Sequence, residues 1–420
     1  MSATQPTTQP ASHASPPPFD PRNPAFLANP YPTYHQLRAI APVVKAPFGH
    51  WLVTGYGNCA AILRDRRFGK ALREPEVMMR RFGPTALQEP SVVELSHMML
   101  TQDPPDHTRL RGLVTKAFSA RNVERLRAGV TAITNQLLDR HIGAGGMDLM
   151  RDLAYPLPVM VICELLGIPE EDRASFAENP SFNGGLLNLV PPTRAELDAA
   201  NANSADRGAY FDTLFEARRR EPRDDLITLL VQAEEAGERL SAIELRANTM
   251  LLFAAGHETT VNLIGNGLLA LHQSPEQWNI LRDDRTLIPN AIEELLRYDS
   301  PVQATTRTLL EPAELNGISL AAGESVVAVL GAANRDPAVY ADPDRLDVTR
   351  DQERALSFGG GIHYCIGAQL ARIEAEVVIN TLLDRVPDIR LPESATPKFR
   401  PNFILRGLTT LPAVWDTAAV

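Results

Sequence analysis

A mainly α-helical fold with a minor β portion is predicted for this 420-residue chain by three observations. Apolar residues recur at helical spacing over much of the length. Capping signals open the longest such stretch, and runs with strand character are few and short. One helix is read from Val123, Leu126, Val130, Ile133 and Leu137, spaced by three and four. A second carries Val159, Ile162, Leu165 and Leu166 and stops at Gly167-Ile168-Pro169. The longest is expected to begin at Ser241, with Glu244 completing a capping box, and to run to about Gln273. Another box is expected directly after it, with Ser274 as cap, Pro275 at the first helical position and Gln277 at the third. Strands are expected over 50–54, 305–309 and 325–330, where β-branched residues cluster.

Composition narrows the function classes. Hydrophobic residues at 44% and charged residues at 22% suit a globular protein with a large core. A formal charge of -10 argues against a nucleic-acid surface, which needs clustered Lys and Arg. The three cysteines, Cys59, Cys163 and Cys365, lie far apart and form no CxxC. That excludes a disulfide framework, a zinc knuckle and covalent haem attachment, and suits a reducing cytoplasm. Cys59 and Cys163 sit in apolar helical patterns and read as small buried hydrophobes. The Ser-, Thr-, Gln- and Pro-rich residues 1–18 have neither the charge nor the apolar run of a signal peptide and are expected to be disordered. From Phe19 to Val420 no linker or repeat interrupts the chain, so one domain is expected over 19–420. No apolar run reaches the ~20 residues that cross a bilayer, so no membrane anchor is expected.

Four stretches carry chemistry. In Phe358-Gly359-Gly360-Gly361-Ile362-His363-Tyr364-Cys365-Ile366-Gly367, consecutive glycines let the backbone turn sharply against a flat surface. Helical sequence follows at once, so Cys365 is expected at a helix N-terminus, where partial positive charge lowers a thiol pKa. Such a thiolate can ligate haem iron; the competing reading is a glycine turn around a buried cysteine. In Ala255-Gly256-His257-Glu258-Thr259-Thr260, a glycine and two polar residues interrupt an apolar helix. A loosened backbone there suggests the lining of a site, against the alternative of a partly exposed polar face. Position 261 is Val, so a HExxH zinc site is excluded. Glu294 and Arg297 can pair on one helix, which alone is a common surface feature. In Asp103-Pro104-Pro105-Asp106-His107-Thr108-Arg109-Leu110-Arg111, His107 and Arg111 share a helix face that can hold carboxylates, against the alternative of a solvent-exposed face.

Taken in order, these stretches resemble the cytochrome P450 family, from about Phe19 onward. The cysteine loop matches FGxGxHxCxG, the central helix matches AGxET, and Glu294 with Arg297 matches ExxR. The resemblance implies the cytochrome P450 fold, with haem b between the central helix and the cysteine loop, and Cys365 as axial iron ligand. It implies Glu258 and Thr259 as the acid–alcohol pair of oxygen activation. His107, Arg111, Arg307 and His363 would hold the propionates, while Phe358, Gly359, Ala255 and Gly256 would border the haem. Glu294, Arg297 and Arg345 would form a buried structural triad; the family's Phe after that Arg is here Leu346.

The activity implied is a monooxygenase: one atom of O2 enters an organic molecule by hydroxylation or epoxidation, and the other leaves as water. Direct use of peroxide, oxidative coupling or desaturation, and a haem sensor or carrier without turnover remain as alternatives. The segment after Cys365 is too short for a fused flavin reductase. A separate ferredoxin with its reductase is therefore the expected electron source, with Arg111 and Arg372 near its docking face. The substrate is expected to be lipophilic. Its pocket is assigned by analogy to Met78, Met79, Phe82, Leu87, Leu251, Val302 and Ile404, under a lid-like stretch from Phe176 to Asn203.

Overall fold

Helical periodicity and capping chemistry place the elements of the computed structural model, which describes residues 19–178, 183–235, 240–351, 353–393 and 395–417. The segment 1–18 lies outside the described residues, as do 179–182 in the lid-like stretch. The helices that position the site are α1 (Pro75–Phe82), α2 (Asp106–Thr115), α3 (Pro156–Leu166), α4 (Ala242–Gln273), α5 (Ile288–Tyr298) and α6 (Ala368–Arg385). Beside this helical body lies a five-stranded sheet of β1 (Val43–Lys45), β2 (Trp51–Val53), β3 (Phe68–Gly69), β4 (Thr305–Leu309) and β5 (Ser325–Ala328). Its spatial order is β1-β2-β5-β4-β3, with β2 and β5 parallel and the other pairs antiparallel. The mainly helical body with a minor sheet agrees with expectation.

The central helix α4 starts as its sequence requires. Ser241 accepts from the Glu244 N–H, and the Glu244 carboxylate accepts from the Ser241 N–H. Residues 247–254 and 260–271 are buried on every face, so α4 runs through the middle of the core. Between these two buried stretches, Ala255, Gly256 and Thr259 present surface to a cavity. Helix α3 packs across it and ends in a Schellman motif: Ile168 N–H donates to Cys163 O, and Gly167 N–H to Glu164 O. Gly167 has φ +83°, and an added Cβ would strike the Asp225 side chain, so glycine is required on both counts.

Several local expectations are corrected. The helix read from Val123 to Leu137 is two, Ala120–Arg125 and Arg127–Asp139; the Leu126 N–H bonds back to Val123 O in a tighter turn between them. The second capping box does not form. The Gln277 side chain accepts from the Val348 N–H at 2.8 Å, and Ser274 makes no side-chain cap. The strand expected over 325–330 ends at Ala328, because Leu330–Ala333 turns into a short helix. The central helix stays continuous through Gly256, with no loosening.

Candidate active site

The glycine-rich loop lies against the end of helix Tyr56–Arg64. Gly359 and Gly361 have φ of +71° and +62°, and a Cβ on Gly361 would come within 2.2 Å of Leu63 O. Glycine there satisfies both the backbone conformation and the close approach. The loop then closes on itself, the Cys365 N–H donating to Phe358 O at 3.0 Å. Cys365 precedes α6, whose cap is Gly367. What surface the thiol retains faces a cavity of about 250 Å³ between this loop and α4. Burial raises its pKa, outweighing the Gly367 N–H and the Arg111 and Arg372 charges, which lower it. The expected lowering by the helix end is present through the Gly367 N–H, but burial outweighs it; a cation at sulfur is what would ionise the thiol. Cys59 and Cys163 are fully buried in the apolar core, as expected.

Across the cavity stand Ala255, Gly256 and Thr259. Gly256 is there for packing: an added Cβ would sit 2.6 Å from Ile162 Cδ1 on α3. The Thr259 hydroxyl donates to Ala255 O at 3.1 Å. One Glu258 oxygen is buried without a partner, and burial raises the carboxyl pKa. Only the charge of Arg400 opposes that shift, so Glu258 is biased toward its protonated form.

The cavity edge carries a surplus of positive charge. His107 and Arg111 on α2, Arg307 on β4, His363 of the loop and Lys70 all line it. The rings of His107 and His363 are 4.4 Å apart, and His107 Nδ1 and His363 Nε2 are buried without partners. Lys70 Nζ donates to Thr306 O at 3.1 Å, and Arg307 to Thr305 Oγ1 at 2.8 Å. Burial depresses each of these groups: Lys70 well below its ordinary value and Arg307 to about 10. The charge of Arg307 adds to the effect on Lys70, and Asp103 offers a partial counterweight. Such a group is stabilised by a bound dianion. Lys70 was missed from sequence, since a lone lysine outside any motif carries no periodic signal.

Beneath the loop, Glu294 and Arg297 are fully buried and joined by a two-pronged pair at 2.7 and 2.8 Å. Arg297 also donates to the carbonyls of Asn334, Pro343 and Arg345. The third member of this group is Arg350, whose Nε reaches Glu294 Oε1 at 3.2 Å. Arg345 contributes its carbonyl alone; its side chain is 69% exposed and pairs with Asp347. Leu346 is buried in the main core.

A second cavity of about 490 Å³ adjoins the first and shares Leu251, Ala255, Thr259 and Val302 with it. Ile404 and residues 187–191 of the lid-like stretch also line it. Met78 and Phe82 do not: they are buried in the core, while Met79 and Leu87 are exposed on the outside. Helix α1 turns Val77, Arg80 and Arg81 toward the cavity instead, a choice of face that its short apolar pattern could not specify.

Loop, central helix and cationic edge together define a site for a flat, doubly anionic group beside one sulfur. The family model for cytochrome P450 matches residues 71–407. The chain is 43% identical to cytochrome P450 monooxygenase PikC of Streptomyces venezuelae, over 97% of both chains. It is 43% identical to vitamin D(3) 25-hydroxylase of Pseudonocardia autotrophica, over 92% of this chain and 94% of that one. The crystal structure of CalO2 superimposes with a TM-score of 0.87 at 34% identity, covering 95% and 99% of the two chains. The chain belongs to the cytochrome P450 family. It is a haem-thiolate monooxygenase whose cofactor is haem b. No helix among the described residues is long and apolar enough to cross a membrane.

The residues present fit that cofactor. The unpartnered His107 and His363 nitrogens and the under-neutralised Lys70 and Arg307 suit two propionates. Lys70→Met is accordingly expected to speed haem transfer to excess apomyoglobin about tenfold, since one charge-assisted contact is removed. An unchanged transfer rate would exclude Lys70 from propionate binding.

Proposed function

We propose that Cys365 is the axial ligand of the haem iron and that the chain, a single domain from Phe19, hydroxylates or epoxidises a lipophilic small molecule. The observation that carries the ligand assignment is that Cys365 is the cysteine whose sulfur faces the cavity. His107, Arg111, Arg307, His363 and Lys70 hold the propionates, and Phe358, Gly359, Ala255 and Gly256 border the ring. When bound, the haem supplies the one-electron and dioxygen chemistry.

The chain's own residues do the rest. Glu258, held toward its protonated form by burial, carries a proton at the wall of the outer cavity. The Thr259 hydroxyl stands one residue on and can donate it onward. Apolar Leu251, Val302 and Ile404 exclude water and orient the substrate. A lipophilic substrate is supported by this lining and by the vitamin D(3) named as the target of one relative. Two electrons come from a separate ferredoxin and its reductase in the cytoplasm, the site of docking being the face that carries Arg111 and Arg372. Arg111 there donates to Tyr364 O, and Arg372 is tied to Glu293, so both cations are held in place.

Thr259→Ala tests the relay. The ratio of product formed to electrons consumed is expected to fall about a hundredfold, the low end of the range for loss of one proton-transfer group. Coupling equal to that of the unsubstituted enzyme would contradict the assignment.

A further inference from the structure

The outer cavity is apolar over most of its wall, with Leu72, Val77, Leu100, Leu251, Val302 and Ile404. Two parts of it are not: Lys70 and Arg307 on the border shared with the Cys365 cavity, and a group that borders the outer cavity alone. Arg80, Arg81 and His50 line it together, and both arginine charges act on His50. Arg80 makes no hydrogen bond or ion pair among the described residues. Arg81 spends one nitrogen on the carbonyls of Leu186 and Leu187, at 3.5 and 3.2 Å, and has no acidic partner among those residues. His50 Nδ1 is buried and unpartnered.

The acids that share this cavity do not answer them. Glu324 is already held by Lys45, Trp51 and the Ala321 N–H. Glu258 lies on α4 beside Thr259, where burial favours its neutral form. Two guanidinium groups therefore line this chamber with no acidic partner among the described residues to neutralise them. A guanidinium in such a place is matched by a planar anion that can take two hydrogen bonds at once.

The geometry points to a substrate with a carboxylate at one end and an extended apolar body, the carboxylate gathered by Arg80 and Arg81 with His50 beside them. This rests on the outer cavity being the substrate chamber. It also sets where oxidation falls. Arg80, Arg81 and His50 border only the outer cavity, whereas Leu251, Ala255, Thr259 and Val302 border the Cys365 cavity as well. The anchored end is thus held away from the haem, and oxygen enters a carbon remote from the carboxylate. One atom of O2 goes into that C–H bond and the other leaves as water, with two electrons supplied by the donor protein and two protons taken up from solvent.

The test titrates the haem-loaded enzyme with straight-chain acids from decanoic to octadecanoic, and with their methyl esters, following the spin-state shift. Acids are expected to bind about tenfold tighter than the matching esters, or more, as one charge-assisted pair implies. Arg80→Gln and Arg81→Gln are each expected to erase most of that ratio, and products are expected to carry the new oxygen far from the carboxyl group. Arg80 is exposed, so Arg80→Gln keeps the test available where Arg81→Gln fails to fold. Equal affinity for acid and ester, a ratio that survives in both variants, or no binding of any acid overturns the proposal. The reduced, carbon monoxide-bound spectrum of each protein separates this failure from failure of the haem-thiolate assignment, which would alter that spectrum in the unsubstituted enzyme.

Discussion

Arg297→Met is expected to destabilise the protein by about 3–5 kcal/mol, the usual cost of leaving one member of a buried ion pair alone. The side chain is fully buried and donates to both Glu294 oxygens and to three backbone carbonyls. Methionine replaces the volume but none of these bonds, and it takes from the Glu294 carboxylate the guanidinium that bonds both its oxygens. Against a total stability of roughly 5–15 kcal/mol, such a loss is enough to prevent accumulation of haem-loaded protein. Arg297→Lys is not expected to rescue it, since an ammonium cannot reproduce the planar fork. Arg345→Met should by contrast cost less than about 1 kcal/mol, because that side chain is exposed and pairs only at the surface. Thermal unfolding of the three variants checks the whole set. A melting temperature for Arg297→Met equal to that of the unsubstituted protein would remove the pair from the structural account. An Arg345→Met variant as damaged as Arg297→Met would restore Arg345 in place of Arg350.

The second large effect is expected at Cys365. Burial raises the pKa of this thiol, so without a metal at sulfur it stays protonated near neutral pH. The nearby Gly367 N–H and the Arg111 and Arg372 charges reduce that penalty without cancelling it. They are suited to supporting a thiolate once iron binds. Cys365→Ala removes the sulfur while adding no bulk, so the loop, held by its glycines and by the bond to Phe358 O, has no steric reason to rearrange. Turnover is expected to fall by two orders of magnitude or more, as removal of a cofactor ligand implies. Haem uptake through the cationic edge is expected to persist in part. Retention of full turnover would exclude Cys365 as ligand.

How much of this was legible in the sequence depends on the range of each interaction. The capping box at Ser241 and the Gly167 terminus rest on neighbours within five residues, and their residue types declare them. The cysteine loop is legible because its glycines are demanded by backbone geometry, at positive φ and against Leu63 O. Gly256 was legible as unusual but not for its cause, because Ile162 meets it from another helix. The choice of Arg350 over Arg345 depends on how an irregular segment folds back over Glu294, and nothing local distinguishes the two side chains. The same limit hid Lys70 and misdirected the pocket assignments on α1. Met78 and Phe82 are apolar as a pocket lining should be, yet the long-range packing of α1 turns them into the core. Gln277 shows tertiary contact overriding a local signal, since Val348 takes the side chain that a capping box would have used.

The measurement that bears most directly on the haem-thiolate site is the absorption spectrum of the reduced, carbon monoxide-bound protein, recorded for the unsubstituted chain and for Cys365→Ala. The unsubstituted chain should give the red-shifted band of cysteinate ligation, and the variant should lose it while still binding some haem. A thiolate-type band that persists in Cys365→Ala would contradict the assignment of the axial ligand and the site built around it.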